Sequence, residues 1–261
     1  MGRVMEHAIA DLPWEAAGLC LATFLAGVIN ALAGGGTLLT FPALMAFTSG
    51  VGANCTSTLA LLPAAMSSSL AYRKELREDR AWLTWLAPVS LVGAAIGGLL
   101  VILPNPEHFD RIVPYLALIA SVLFTLQPLL APRLAIPESA SRKPPFWVLC
   151  SQFLIAIYGA YFGAGIGIMM LALLGLLPIG GLIRANALKI FFAGLINLVA
   201  SIIFLVGGAI RWDLLGLMVP LAILGGYLGG IFGRKIPKGW LRIFVIVVGF
   251  GQTIWFFMRV R

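Results

Sequence analysis

Charge is scarce in this chain. Only 11% of its 261 residues are Asp, Glu, Lys or Arg, against about 25% in a soluble domain. A soluble protein so short of charge would have nothing to cover its surface with, and hydrocarbon is implied as its solvent. Histidine is scarcer still. His7 and His108 lie far apart, in a terminal and a loop region, and pair with no motif. No catalytic cluster can be assembled from them, so no enzymatic activity is expected. A phosphate-binding GxxxxGK[ST] loop is missing too, which excludes an ATPase within this sequence. Cys20, Cys55 and Cys150 form no CxxC and show no metal-ligand spacing. They read as small buried hydrophobes, with Cys55 set inside a polar motif. Neither a metal nor a cofactor is expected.

Apolar residues are abundant: 61% of the chain, with mean hydropathy +1.01. A spanning helix takes about 20 apolar residues, so the length allows about eight to ten hydrophobic segments and no soluble domain beside them. The net charge of +8 would point to nucleic acid in a soluble protein. Here basic residues belong to cytoplasmic loops, and no nucleic-acid partner is expected. The start, MGRVMEHAIADLP, mixes Arg3 with Glu6 and Asp11. The apolar run from Trp14 to Ala33 that follows it is too long for a signal-peptide core, so it is expected to be retained.

The apolar segments are 14–33, 37–49, 54–72, 82–103, 111–130, 146–162, 166–180, 186–206, 212–233 and 240–258, separated by glycine, proline or charge. Trp14, Trp82, Trp85, Trp147, Trp212, Trp240 and Trp255 fall at or near segment ends, where amphipathic rings settle at headgroup level.

The chain repeats itself. FLAGVINALAGGG (24–36) resembles FLIAIYGAYFGAG (153–165), and an offset of 132 then aligns Ala53-Asn54 with Ala185-Asn186 and Pro88 with Pro220. The same offset aligns Gly93, Gly97 and Gly98 with Gly225, Gly229 and Gly230. Two copies of one unit are expected, residues 1–130 and 146–261, joined by a cytoplasmic linker at 131–145. Loop charge bears on their orientation. The basic loop 73–80 (RKELREDR) follows the third segment of the first copy, whereas in the second copy the basic loop, 233–239 (GRKIPKG), follows the fourth. If both face the cytoplasm, the copies are inverted. Total loop charge barely separates inverted from parallel copies, but a parallel arrangement would place the whole Arg234–Arg242 cluster outside. The expected fold is all-α: a polytopic membrane protein and inverted repeat, each copy holding about three full spans plus a Gly-broken helix pair. The broken pairs are either re-entrant hairpins or two short spans.

Gly34-Gly35-Gly36-Thr37 and Gly163-Ala164-Gly165-Ile166-Gly167 interrupt the first segment of each copy. A helical glycine costs about 1 kcal/mol relative to alanine, so such clusters should break the helix. The freed backbone groups cannot face lipid and must be buried in protein or line a wet cavity. Half-helix N-termini at such breaks attract anions. The other glycines, at 93, 97 and 98 and their copies, read as close helix packing. Asn186, Lys189, Ala193 and Asn197 share one helical stripe. A lysine within a membrane segment is costly and by default functional, although its long stem could snorkel to the interface. Asn54, Ser57, Leu61, Ala65 and Ser68 repeat the stripe without the charge, flanked by Thr56 and Thr58. No Asp or Glu sits deep in any segment, which suits an anion and not a cation needing oxygen ligands.

These residues carry a family resemblance. NALAGGGTLLTFPAL (30–44), GANCTSTLALLP (52–63), GAYFGAGIGIMM (159–170) and RANALKIFFAGLIN (184–197) resemble the sulfite exporter family of permeases, the TauE/SafE type. The resemblance implies an internally duplicated permease of the bacterial inner membrane, moving sulfite, an organosulfonate or a related small anion. The candidate substrate-binding residues are Asn30, Gly34, Gly35, Gly36, Thr37, Asn54, Ser57, Thr58, Gly163, Gly165, Asn186, Lys189 and Asn197. The expected partners are a small anionic substrate and the lipid bilayer. A coupling ion (proton or sodium) and a homodimer stay open, as does an anion channel with the same donor-lined path.

Overall fold

The computed structural model describes residues 13–32, 35–130, 143–177, 179, 181–232 and 238–259. The N-terminal segment, Gly34 and most of the 131–145 linker lie outside them. Among the described residues the chain is all-helical, in eleven helices. The first copy holds α1 (Pro13–Leu32), α2 (Thr37–Leu44), α3 (Gly50–Ala71), α4 (Arg73–Glu78), α5 (Arg80–Ile102) and α6 (Pro106–Leu130). The second holds α7 (Phe146–Tyr161), α8 (Ile166–Leu174), α9 (Leu182–Gly207), α10 (Trp212–Phe232) and α11 (Lys238–Arg259). Each apolar segment read from the sequence is one helix. The addition is α4, a turn and a half formed by the basic loop. Four stretches are long and apolar enough to cross a bilayer: Arg80–Ile102, Pro106–Leu126, Ile183–Gly207 and Trp212–Gly229. On α5, Leu91, Val92, Ile96, Leu99 and Leu100 are exposed. Such a strip faces lipid, because in water it would be an uncovered apolar patch.

Helices α2 and α8 have eight and nine residues, about 12–14 Å at 1.5 Å per residue. Neither can cross a core about 30 Å thick. A Cβ on Gly36 would strike the Ala26 carbonyl, and one on Gly159 would strike Ile166. The chain therefore folds back beside the helix it has just left, and both Gly-broken pairs are hairpins.

Close backbone approaches give the helix directions. Gly225 and Gly229 of α10 abut Phe24 and Val28 of α1, so the numbers rise together and the pair is parallel. Gly93 and Gly97 of α5 abut Phe153 and Ile157 of α7 in the same sense. Gly98 meets Ala200 and Ile203 while Gly207 meets Ile102, so α9 also runs with α5. Arg211, at the head of α10, bonds Thr56 of α3, and Gly226 lies against Ala64, so α3 runs with α10. Only residues 72–79 separate α3 from α5, too few to recross a membrane, so those two are antiparallel. It follows that α1, α3 and α10 point one way, and α5, α7 and α9 the other. Matching helices of the two copies are thus opposed, as an inverted repeat requires. Helices α6 and α11 are antiparallel as well: Ser121 meets Gly249, and Tyr115 packs on Phe257 with ring centroids 5.2 Å apart.

The copies are not separate bodies in space. Helix α1 packs most extensively on α10, and α7 on α5, each with a helix of the other copy. The glycines at these seams sit against carbonyls and have no room for a Cβ, the close packing that small residues allow between membrane helices. Tryptophan placement is mixed. Trp14, Trp147 and Trp212 are exposed at the heads of their helices, whereas Trp82 is fully buried and belongs to the core.

Candidate functional site

The two hairpins place their glycine turns side by side near the crossing of α3 and α9. Gly35, Gly163 and Gly165 all have positive φ, at 120°, 78° and 79°. This region is open to glycine and strained for side-chain-bearing residues, so the turns depend on glycine here. Helix α8 starts directly from Gly165 in the left-handed region, and α2 from Gly36. Leu38, Leu39 and Thr40 bond back to Gly35 and Gly36, and Ile168 and Met169 bond back to Gly165. The N–H groups of Thr37 and Gly167 make no such bond among the described residues.

Between the turns lies a cavity that admits the centres of water-sized molecules over about 40 Å³, space for a few waters. Its polar lining comes from Asn30 of α1, Thr37 of α2, Thr58 of α3, and Lys189 and Asn197 of α9. Gly35, Gly163 and Gly167 bring backbone to its surface, and Gly27 and Gly226 close one wall. Lys189 is 3% exposed. Its side chain does not snorkel to the interface: it faces this internal space. No ion pair joins it to another described residue, and no carboxylate lines the cavity.

Not all the candidate residues reach the cavity. Asn30, Gly35, Thr37, Thr58, Gly163, Lys189 and Asn197 line it. Ser57, aligned with Lys189 in the repeat, turns away and shares a hydrogen bond with Thr40 at 2.5 Å. Gly36 and Gly165 shape the turns from behind, against Ala26 and Ala120. Asn54 donates to the Tyr161 carbonyl at 2.9 Å, and Asn186 to the Tyr72 hydroxyl at 3.3 Å. Gly34 lies outside the described residues. Ile166 and Gly167, within the second glycine break, also line the cavity, whereas the sequence reading missed Gly27, Ala64, Ile190 and Gly226. Gly27 stood within the repeated FLAGVINALAGGG motif and Gly226 beside a repeated glycine, but their convergence needs α1 and α10 to pair across the two copies.

Polar clasps hold the ends of the bundle. At the end bearing the 73–80 loop, Arg184 grips Asp79. At the other, Arg211 donates to the Phe47 carbonyl at 2.6 Å and pairs with Asp213. The hydrogen bonds to Asp213 raise the Arg211 pKa above its ordinary value. Among the described residues no group of three or more His, Cys, Asp and Glu could hold a metal.

The profile of the family described as "Sulfite exporter TauE/SafE" matches residues 19–255. The chain is 32% identical over 238 residues to a probable membrane transporter protein of Haemophilus influenzae, covering 88% of this chain and 89% of that one. It is 30% identical to the probable membrane transporter protein ORF9 of Sinorhizobium sp, with the same coverage. It is 26% identical to the probable membrane transporter protein YfcA of Escherichia coli K12, over 88% of this chain and 85% of that one. No solved structure matches the chain. With bacterial relatives and several apolar helices, this is a multi-pass inner-membrane transporter of a small molecule and not an enzyme, and it belongs to the sulfite exporter TauE/SafE family.

Proposed function

We propose that this transporter carries a small anion, sulfite or a related sulfur oxyanion or organosulfonate, by alternating access, with the anion seated between the two glycine turns. The observation that carries the reading is Lys189: an ammonium enclosed in a cavity, without a carboxylate partner among the described residues. Burying a charge is expensive unless it is paired, and a bound anion supplies the pair. Asn30, Asn197, Thr37 and Thr58 offer amide and hydroxyl donors, and the starts of α2 and α8 add N–H groups. Support for sulfur in the cargo comes from the family alone; the cavity supports an anion.

The interleaved packing supports a reading of the moving parts. We take the parallel groups α1/α3/α10 and α5/α7/α9, each drawn from both copies and meeting where α3 packs on α9, as the bodies that rock about the cavity. By the distribution of Lys and Arg, the end with loop 73–80 and Arg184 faces the cytoplasm, as does the linker 131–145. The driving force is a gradient of substrate, proton or sodium.

Counterflow in proteoliposomes tests the reading. Labelled sulfite should accumulate transiently in vesicles preloaded with unlabelled sulfite, thiosulfate or sulfoacetate, and Lys189→Ala should abolish it. Flux without trans-stimulation would mean an anion channel. Unchanged counterflow in Lys189→Ala would remove the site.

A further inference from the structure

Two asparagines at equivalent repeat positions, Asn54 and Asn186, fasten one helix group to the other at opposite ends of the cavity. Asn54 lies on α3, one turn outward from the cavity-lining Thr58, and donates to the main-chain carbonyl of Tyr161, the last residue of α7. Asn186 lies on α9, one turn outward from Lys189, and donates to the hydroxyl of Tyr72, just past the end of α3. Each bond therefore runs between α1/α3/α10 and α5/α7/α9. The arginine clasps do not: Arg184–Asp79 stays within the α5/α9 group, and Arg211 bonds Thr56 within the α3/α10 group.

We propose that Asn54 and Asn186 are the two gates of the transporter, positioning residues that bar the cavity toward opposite faces and release in turn. Asn186–Tyr72 closes the end bearing loop 73–80, and Asn54–Tyr161 closes the end bearing Arg211. In the present structure both bonds are made. Rocking the groups apart at one end breaks one bond and keeps the other. The gates are unequal. Asn54 is fully buried and grips a backbone carbonyl at 2.9 Å, whereas Asn186 is part-exposed and reaches a phenol at 3.3 Å. The cavity therefore opens more readily toward the basic end. Asn54 Oδ1 has no partner among the described residues, so this amide is only half committed to the closed state.

The proposal rests on the alternating-access reading, and substrate-free labelling separates the two. Cys20, Cys55 and Cys150 are replaced, and Ala193→Cys places one thiol in the cavity wall. A membrane-impermeant maleimide is applied from either side, using intact cells and inside-out vesicles. Tyr72→Phe, which removes only the acceptor of Asn186, should speed labelling from the basic face roughly fivefold, the effect of one ordinary hydrogen bond, and leave the other face unchanged. Asn54→Ala should do the reverse. If Asn54→Ala yields too little folded protein, Asn54→Ser serves, being too short to reach the Tyr161 carbonyl. Equal effects on both faces, no effect, or the opposite sidedness would overturn the gates. Counterflow in the same variant vesicles reports the carrier independently: its persistence alongside unsided labelling overturns the gates alone.

Discussion

Arg184, in the first turn of α9, forks onto Asp79, the residue before α5, with Nε and Nη2 at 2.8 and 2.5 Å from the two carboxylate oxygens. A cation at a helix N-terminus opposes the helix dipole, so this arginine depends on its acidic neighbours, Asp79 foremost and Glu78 at 4.0 Å. Asp79 is 3% exposed and Arg184 17%, so neither charge is well hydrated.

Asp79→Ala is therefore expected to destabilise the protein by about 3 kcal/mol, the lower end of the range for breaking a buried pair, since Arg184 keeps some water. The double change Asp79→Asn with Arg184→Gln should cost less than Asp79→Ala alone, because the half-buried Arg184 charge is removed together with its main counter-ion. Thermal unfolding in detergent checks both. Equal losses would mean the pair works through packing and not through charge.

Lys189 should separate stability from transport. Lys189→Met removes a buried ammonium with no ion-pair partner among the described residues and fills the same stem, so the melting temperature should hold or rise while counterflow is lost. A large fall in melting temperature would assign the lysine to the fold.

Two glycines of α10 should respond oppositely to alanine. A Cβ at Gly225 would run into the Phe24 carbonyl, whereas one at Gly216 meets nothing within 4 Å. Gly225→Ala should cost about 1–3 kcal/mol through overpacking, and Gly216→Ala should gain up to about 1 kcal/mol of helix propensity. Unfolding of the two purified variants gives the comparison.

At Gly35 the backbone (φ 120°) and the Phe124 ring both exclude a side chain. Gly35→Ala should distort the turn that lines the cavity and abolish uptake. Phe124→Ala should not restore it, because the backbone strain remains after the ring is removed. Uptake assays on the single and double variants decide this.

The helices were legible because hydropathy, glycine and proline act over a few residues. Each apolar segment became one helix, and breaks fell at Gly35 and Gly163. Basic loop charge pointed to inversion, and the helix directions agree: the seams at Gly225–Phe24 and Gly93–Phe153, with α3 beside α10 and only a short turn from α3 to α5, set matching helices opposed. Less legible was which polar residues face inward. The stripe from Lys189 to Asn197 reaches the cavity, but its neighbour Asn186 and the matching Ser57 turn to partners on other helices. A helical stripe spans a wide arc, and the register of a neighbouring helix decides which part of it is covered.

The sequence by itself determined solvent, the apolar helices and the places where they break, since the cost of exposing polar backbone to lipid falls on each residue separately. Only the tertiary structure decided that the copies interleave, with α1 on α10 and α7 on α5. Helix partnership in a bilayer is set by shape: a backbone that fits the groove at Gly225 or Gly97, from a distant part of the chain, leaves no mark on local hydropathy.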